Sequence, residues 1–116
     1  MQPTVLILEA RKEVSGALES VIASANFIPV VVAHLERLGD LAIAPAAIVV
    51  RIAFESAGDP PHAAIERLGR NRPPVVAIAW EEHELEEARR LKCDVILHAP
   101  HDVSRLCETL SRLIQA

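Results

Sequence analysis

The chain has 116 residues, the usual length of one globular domain, so we expect a single domain over residues 1–116. Hydrophobic residues make up 51% of it and aromatic residues only 3%, which predicts a core of Val, Ile, Leu and Ala side chains. The formal net charge of -4 offers no basic surface to nucleic acid or to an anionic membrane, so we expect neither as a partner.

We expect a cytoplasmic setting, because the sequence shows no pattern of a targeting signal and has few cysteines. The apolar runs are no longer than a β-strand, and the start of the chain lacks the basic and apolar regions of a signal peptide. The two cysteines, Cys93 and Cys107, are too few for a disulfide scaffold and do not have the spacing of metal ligands.

The first part of the chain alternates between strand and helix patterns. Residues 5–8 form a continuous apolar run, typical of a strand buried on both faces, and apolar residues at helical spacing predict a helix over 13–25. A second strand follows over 28–32. Pro29 places this strand at a sheet edge, because proline cannot donate a ladder hydrogen bond. Spaced leucines over 35–41 suggest a short helix.

The middle of the chain continues the alternation. The apolar run 47–52 predicts a third, central strand, and a short helix is expected over 64–68. The run 75–79 predicts a fourth strand and 95–97 a fifth. Between them lies a helix over 81–92, with acidic residues in its first turns and basic residues in its last, a distribution that suits the helix dipole.

A final helix completes the pattern. Asp102 is predicted to be its N-cap, because a carboxylate there can accept a free backbone N–H hydrogen bond. Its apolar side consists of Val103, Leu106, Cys107, Leu110, Leu113 and Ile114. Strands that alternate with helices indicate βαβ units, so we expect a three-layer α/β fold with a doubly wound, five-stranded parallel sheet.

The order of these elements, together with the residues at four strand ends, resembles the response-regulator receiver family. The matching segments are VLILE at 5–9, PAAIVVR at 45–51, PVVAIA at 74–79 and ILHAP at 96–100. The resemblance spans nearly the whole chain and implies the CheY-like, flavodoxin-type strand order 2-1-3-4-5. Strand 2 is an edge in that order, in agreement with Pro29.

The resemblance also implies where a receiver's site residues would lie. Receivers hold Mg²⁺ with an acidic pair after strand 1 and an Asp that ends strand 3, and this Asp accepts the phosphoryl group. They also carry a hydroxyl at the end of strand 4, a Lys before the strand-5 proline and an aromatic residue in strand 5. The acidic pair corresponds here to Glu9 and Ala10, and the phosphoacceptor Asp corresponds to Arg51. The hydroxyl position holds Ala79, the Lys position holds Ala99 and the aromatic position holds Ile96.

Only Glu9 keeps the chemistry of the family. Arginine has no nucleophilic group and stays protonated in proteins, so Arg51 cannot accept a phosphoryl group. One carboxylate beside a fixed positive charge is a poor Mg²⁺ site, because that ion prefers several hard oxygen ligands. We therefore interpret the chain as a degenerate pseudo-receiver, with no catalytic residue, cofactor or metal ion.

Glu9 and Arg51 should end adjacent strands on the same side of the sheet. We predict that they form an ion pair that replaces the Mg²⁺ and phosphate interactions and fixes one conformation. A plainer alternative is the neutralisation of a partly buried charge, without any role in signalling. Arg51 could also bind an anion with the help of backbone N–H groups at the strand ends.

The histidines and the proline near strand 5 need separate consideration. His34 follows strand 2, whereas His98 and His101 follow strand 5, so opposite edges of the sheet separate them and we do not expect a zinc site. Pro100, preceded by Ala99, stands where receivers often have a cis peptide bond, and the sequence permits either isomer.

Trp80 is the one large side chain outside the predicted core. It can serve as an interface anchor or fold down as a lid over the pocket. With Ile96 and His98 it marks a possible interface, on the face that receivers build from helix 4, strand 5 and helix 5. The glutamates of 81–87 predict a solvated helix face, or a surface for a basic partner.

These features favour a phosphorylation-independent pseudo-receiver in two-component-type signal transduction, which binds a protein partner or a second copy of itself through that face. The alternative is a small-molecule or anion sensor that uses the pocket around Arg51. An enzyme is the least favoured class, because the sequence has no nucleophile–base set, metal motif or nucleotide fingerprint.

Overall fold

The computed structural model describes residues 2–32, 44–52, 66 and 72–115. Its five strands are β1 (Thr4–Leu8), β2 (Ile28–Val32), β3 (Ala47–Arg51), β4 (Val75–Ala79) and β5 (Val95–His98). Three α-helices accompany them within this part of the chain, α1 (Lys12–Ser24), α2 (Glu82–Arg90) and α3 (Leu106–Gln115), and a 3-10 helix (His101–Arg105) precedes α3. The short helices predicted over 35–41 and 64–68 lie outside the described residues.

The sheet has the predicted topology. Its strand order is β2-β1-β3-β4-β5, and every neighbouring pair is parallel. Pro29 lies in the edge strand β2 opposite Val5, which confirms the placement that its missing N–H predicted. β3 lies in the centre, and its residues from Ala47 to Val50 are completely buried.

Alternate strand residues face two separate apolar cores. One core contains Leu6, Leu8, Ile48, Val50 and Ala77, and α2 covers it with Leu85 and Ala88. The opposite core contains Val5, Ile7, Val49 and Val76, and α1 and α3 cover it with Leu18, Ile22, Leu106 and Leu110. The molecule therefore has the expected three layers, because the period-2 alternation of buried strands supplies an apolar surface on both sides.

Two helices end on residues with left-handed backbone. α1 is followed by Asn26 with φ 67°, and α2 by Lys92 with φ 57°. Asparagine tolerates this region well, and the turn redirects the chain into β2. α2 is shorter than the predicted 81–92, because the turn at Lys92 ends it at Arg90. No helix among the described residues combines the length and apolar character needed to cross a bilayer.

The predicted N-cap at Asp102 is wrong. The last helical segment begins with the 3-10 helix, whose N-cap is Pro100, and Asp102 lies in its first turn. The Asp102 Oδ2 atom instead accepts the backbone N–H of His98 at 3.0 Å. This N–H ends the edge strand β5 and needs an acceptor, which the carboxylate four residues later provides. The Ala99–Pro100 peptide bond is cis.

The packing of α1 gives a direct stability prediction. Ile22→Ala should lower the free energy of unfolding by about 2–5 kcal/mol, because Ile22 is completely buried against the sheet. Val21→Ala is the matched control, since Val21 is 38% exposed on the same helix and should lose less than about 1 kcal/mol. Urea unfolding followed by circular dichroism measures both. Equal losses would contradict this orientation of α1.

Candidate functional site at the carboxyl edge of the sheet

The carboxyl ends of the strands bring most of the predicted site positions to one edge. Glu9 directly follows β1, and Arg51 is the last residue of β3. Ala79 ends β4, and Ala99 follows β5 and donates its N–H to the Ala79 carbonyl oxygen at 2.8 Å. Both alanines are buried, whereas Ala10 is exposed. Open α/β sheets bind their ligands at this edge, so these residues define the candidate site.

The predicted ion pair between Glu9 and Arg51 is present. The Arg51 Nη2 atom donates to Glu9 Oε1 at 3.0 Å, and its Nε atom donates to Oε2, so the contact is bidentate. The register explains the meeting, because Leu8 and Val50 are paired between β1 and β3 and the two charged residues come next. The Glu9 side chain is fully buried, whereas the Arg51 side chain is 13% exposed.

The backbone completes the hydrogen bonding of the buried carboxylate. The Arg11 N–H donates to Glu9 Oε1 at 2.9 Å, at the turn from β1 into α1. Within the described part of the chain, no buried side-chain nitrogen or oxygen lacks a hydrogen-bond partner. Both Glu9 oxygens thus accept hydrogen bonds from a guanidinium that stays charged. In this arrangement the carboxylate is a poor ligand for a second cation.

A second set of contacts joins the ends of β4 and β5. The ring Nε2 of His98 lies 3.0 Å from the Trp80 carbonyl oxygen, so this nitrogen carries the proton and donates. The Trp80 N–H donates to Glu84 Oε1 at 3.0 Å, just as the His98 N–H donates to Asp102. At the end of each of these two strands, a backbone N–H therefore donates a hydrogen bond to a carboxylate four residues later in the chain. The sequence analysis missed this arrangement, although the two i, i+4 acids are visible in the sequence.

The three residues proposed as an interface differ in exposure. Trp80 is 51% exposed at the end of β4, so its ring is not buried as a closed lid would be. His98 is exposed beside it, whereas Ile96 is half-buried and packs partly against the core beneath α2. Among the described residues at this edge, Trp80 is thus exposed next to the His98 ring, which contacts its carbonyl oxygen.

The polar groups near α2 do not make a compelling metal site. His34 lies outside the described residues, so its position relative to His98 and His101 stays a prediction. Glu81, His83 and Glu84 lie near one another at the start of α2, but this cluster is mostly exposed. Glu84 already accepts the Trp80 N–H, and acidic groups at this end favourably meet the helix dipole.

The two cysteines are both half-buried. Burial raises the pKa of the Cys93 thiol to about 11, while Arg72 lowers it by a smaller amount and Asp94 raises it further. Cys93 is therefore a poor nucleophile at neutral pH, because the thiolate is the reactive form. The Cys107 Sγ atom lies 3.4 Å from the Val21 carbonyl oxygen, between α3 and α1.

Comparison with known proteins identifies the fold. No protein-family model and no curated protein matches the sequence. The structure is similar to a sensor protein from Polaromonas sp. JS666 (19% identity, TM-score 0.79, 99% of this chain and 98% of that chain). It is also similar to a CheY-like response regulator receiver domain from Methylobacillus flagellatus (17% identity, TM-score 0.79, 97% and 99%).

A third similar structure is the signal receiver domain of a modulated diguanylate cyclase from Desulfovibrio desulfuricans G20 (21% identity, TM-score 0.78, 99% of this chain and 95% of that chain). The chain therefore has the fold of CheY-like response-regulator receiver domains, with the five-stranded parallel order 2-1-3-4-5. Identities at this level establish the fold and leave activity to be argued from the site.

The buried ion pair gives a second stability prediction. Glu9→Gln should lower the free energy of unfolding by about 3 kcal/mol, because it removes the negative charge of a fully buried, bidentate ion pair. Glu108→Gln is the matched control. It breaks the pair with Arg112, whose side chain is 77% exposed, and should lose less than about 1 kcal/mol. Urea unfolding compares them, and equal losses would refute a structural role for the buried pair.

Proposed function

We propose that the chain is a phosphorylation-independent pseudo-receiver that acts in two-component-type signalling through protein–protein contacts. The observation that carries the proposal is the ion pair of Glu9 and Arg51 at the carboxyl ends of β1 and β3. In receivers, these strand ends supply an acidic residue for Mg²⁺ and the Asp that accepts phosphate. Here a carboxylate and a guanidinium occupy them and neutralise each other.

The residues around the pair argue against phosphoryl transfer. Transfer needs a nucleophile with a free electron pair and cations that neutralise the phosphate oxygens. Arg51 offers no such pair, and the Glu9 oxygens already accept three hydrogen bonds. Ala79 and Ala99 supply only methyl groups at the positions where receivers carry a hydroxyl and an ammonium group.

The ion pair supports a module that is held in one conformation. A receiver switches because its phosphorylated and unphosphorylated forms make different contacts. The Arg51 charge is permanent and lies beside Glu9 in the unmodified chain, so it occupies the place of an ion–phosphate contact at all times. On this proposal, the state of the domain does not depend on a kinase.

The interaction face that we propose consists of α2, β5 and α3, the elements that correspond to helix 4, strand 5 and helix 5 of receivers. Trp80 lies just before α2 and is the most exposed large apolar side chain of the described residues, and tryptophan is favoured at the centres of binding sites. The partner is another protein or a second copy of this chain, and we propose a cytoplasmic location. The role needs no catalytic residue, cofactor or metal.

The alternative sensor role has no specific observation in its favour. An anion at Arg51 would have to displace a bidentate, buried carboxylate partner before it could bind. A groove of about 580 Å³ lies between β5 and α3, and neither Glu9 nor Arg51 lines it. We therefore propose the interaction module alone.

The first test concerns phosphorylation. Incubation with acetyl phosphate and Mg²⁺ should leave the intact mass of the protein unchanged, because no nucleophilic carboxylate stands at the end of β3. A receiver domain that has its phosphoacceptor Asp, treated in parallel, must gain one phosphoryl group. A phosphoryl adduct on this chain would overturn phosphorylation independence.

The second test concerns the interaction face. A photo-crosslinking amino acid in place of Trp80 should give a discrete adduct in the native cells, because that side chain is 51% exposed at the proposed face. The same substitution at Glu19, exposed on α1, is the control and should give none. An adduct of twice the chain mass would identify a second copy as the partner. Adducts from position 19 only, or equal adducts from both positions, would reject the face.

A further inference from the structure

A row of four charged side chains with alternating sign runs along one side of the last helical segment. Asp102 and Arg105 belong to the 3-10 helix, and Glu108 and Arg112 belong to α3. All four line the groove whose other side is formed by residues 95–97 of β5. Because they line the same groove, the four side chains lie on one side of the segment, in the order negative, positive, negative, positive.

The row has the same spacing when it is followed from either end. Asp102 and Arg105 are three residues apart in a 3-10 helix, which rises about 2.0 Å per residue, so about 6 Å separates them along the axis. Glu108 and Arg112 are four residues apart in an α-helix, which rises about 1.5 Å per residue, so this interval is also about 6 Å. A second copy that lies antiparallel to the row therefore presents an opposite charge to each of its four members.

The balance of charge in the groove favours such a second copy over an acidic or a basic partner. Two carboxylates and two guanidiniums line it and cancel each other, since the hydrogen bond from the His98 N–H does not neutralise Asp102. Arg105 is exposed, and no carboxylate in the described part of the chain forms an ion pair with it. A parallel neighbour would set like charges side by side, whereas a two-fold axis gives the antiparallel order.

The groove also offers apolar surface that a second copy can cover. Val95 and Leu113 line it, are half-buried, and lie on the side of the sheet that α3 covers. β5 is the last strand in the sheet order, so no other described strand covers this side. Exposed ion pairs add little affinity each, because water screens them. The apolar contact would therefore supply most of the affinity, and the charges would fix the register.

We infer that two copies of this chain form a two-fold symmetric dimer in which their 3-10 and α3 segments lie antiparallel at this groove. Arg105 of each copy then lies opposite Glu108 of the other. Asp102 likewise lies opposite Arg112, which gives four ion pairs across the axis. The inference rests on the proposed function, since it names a second copy as the partner and the part of the α2, β5 and α3 face that receives it.

The first measurement is the oligomeric state of the full chain by sedimentation equilibrium, over a wide range of protein concentration. The chain should show a reversible monomer–dimer equilibrium. Its dissociation constant should rise several-fold between about 0.05 M and about 0.5 M NaCl, because salt screens charges at an exposed interface. A monomer at every concentration would overturn the inference.

Charge reversal on either side of one ion pair tests the antiparallel register. Arg105→Glu places two carboxylates opposite each other, and Glu108→Arg places two guanidiniums opposite each other, so each variant alone should dimerise about tenfold more weakly than the unsubstituted chain. When the two variants are mixed in equal amounts, a heterodimer should form with nearly the original affinity. In that heterodimer, both altered pairs again join opposite charges.

The matched control makes the same changes of charge away from the groove. Lys12→Glu and Glu19→Arg lie at exposed positions of α1, outside the groove lining. Each should dimerise like the unsubstituted chain, and their mixture should show no preference for the heterodimer. Circular dichroism checks that every variant is folded. Unchanged dimerisation of Arg105→Glu, or folded groove variants that fail to pair when mixed, would contradict the antiparallel arrangement.

The outcomes separate this inference from the proposed function. A monomeric chain that crosslinks from position 80 to a different protein would reject the dimer and leave the interaction module in place. A dimer restored by mixing the two variants, together with a phosphoryl adduct from acetyl phosphate, would support the dimer and reject phosphorylation independence. A dimer that responds neither to salt nor to charge reversal would place the two-fold contact elsewhere and overturn the inference.

Discussion

The buried ion pair of Glu9 and Arg51 constrains how β1 and β3 end at the carboxyl edge of the sheet. A carboxylate with no exposed side-chain surface is costly to bury unless a charged partner and hydrogen bonds compensate for its lost hydration. The compensation requires β1 and β3 to end side by side, which the register of Leu8 and Val50 provides. In the pseudo-receiver that we propose, the pair would also determine the chemistry of the edge, because it joins the strand ends where a receiver holds its ion and phosphate.

A different set of hydrogen bonds stabilises the ends of β4 and β5. β4 and β5 are each followed by a carboxylate, Glu84 or Asp102, that accepts the N–H at or just after the strand end. His98 then links the two strand ends through the Trp80 carbonyl group. These backbone groups at the ends of β4 and β5 thus find their hydrogen-bond partners within the protein itself. On the proposed function, the exposed indole of Trp80 is what this edge offers to a partner.

Much of this architecture follows from residues that act locally. Apolar runs mark each strand, Pro29 marks the edge, and charged residues directly after two adjacent strands predict the ion pair. The role of Asp102 could not be predicted in this way, because a carboxylate after a strand can cap the following helix or accept the strand's own N–H. The choice depends on the path of the 3-10 helix. The His98–Trp80 contact and the groove depend likewise on distances between separate elements.

The same constraint bears on how such a module could be regulated. A switch needs a ligand or modification that binds one of two states more tightly than the other. Receivers use phosphate at the end of strand 3 for this purpose, but the guanidinium of Arg51 is a permanent group with the same charge in every state. On the proposed function, any regulation must therefore act through the partner, for example through its concentration, because the ion pair holds the same charge whether or not a kinase is active.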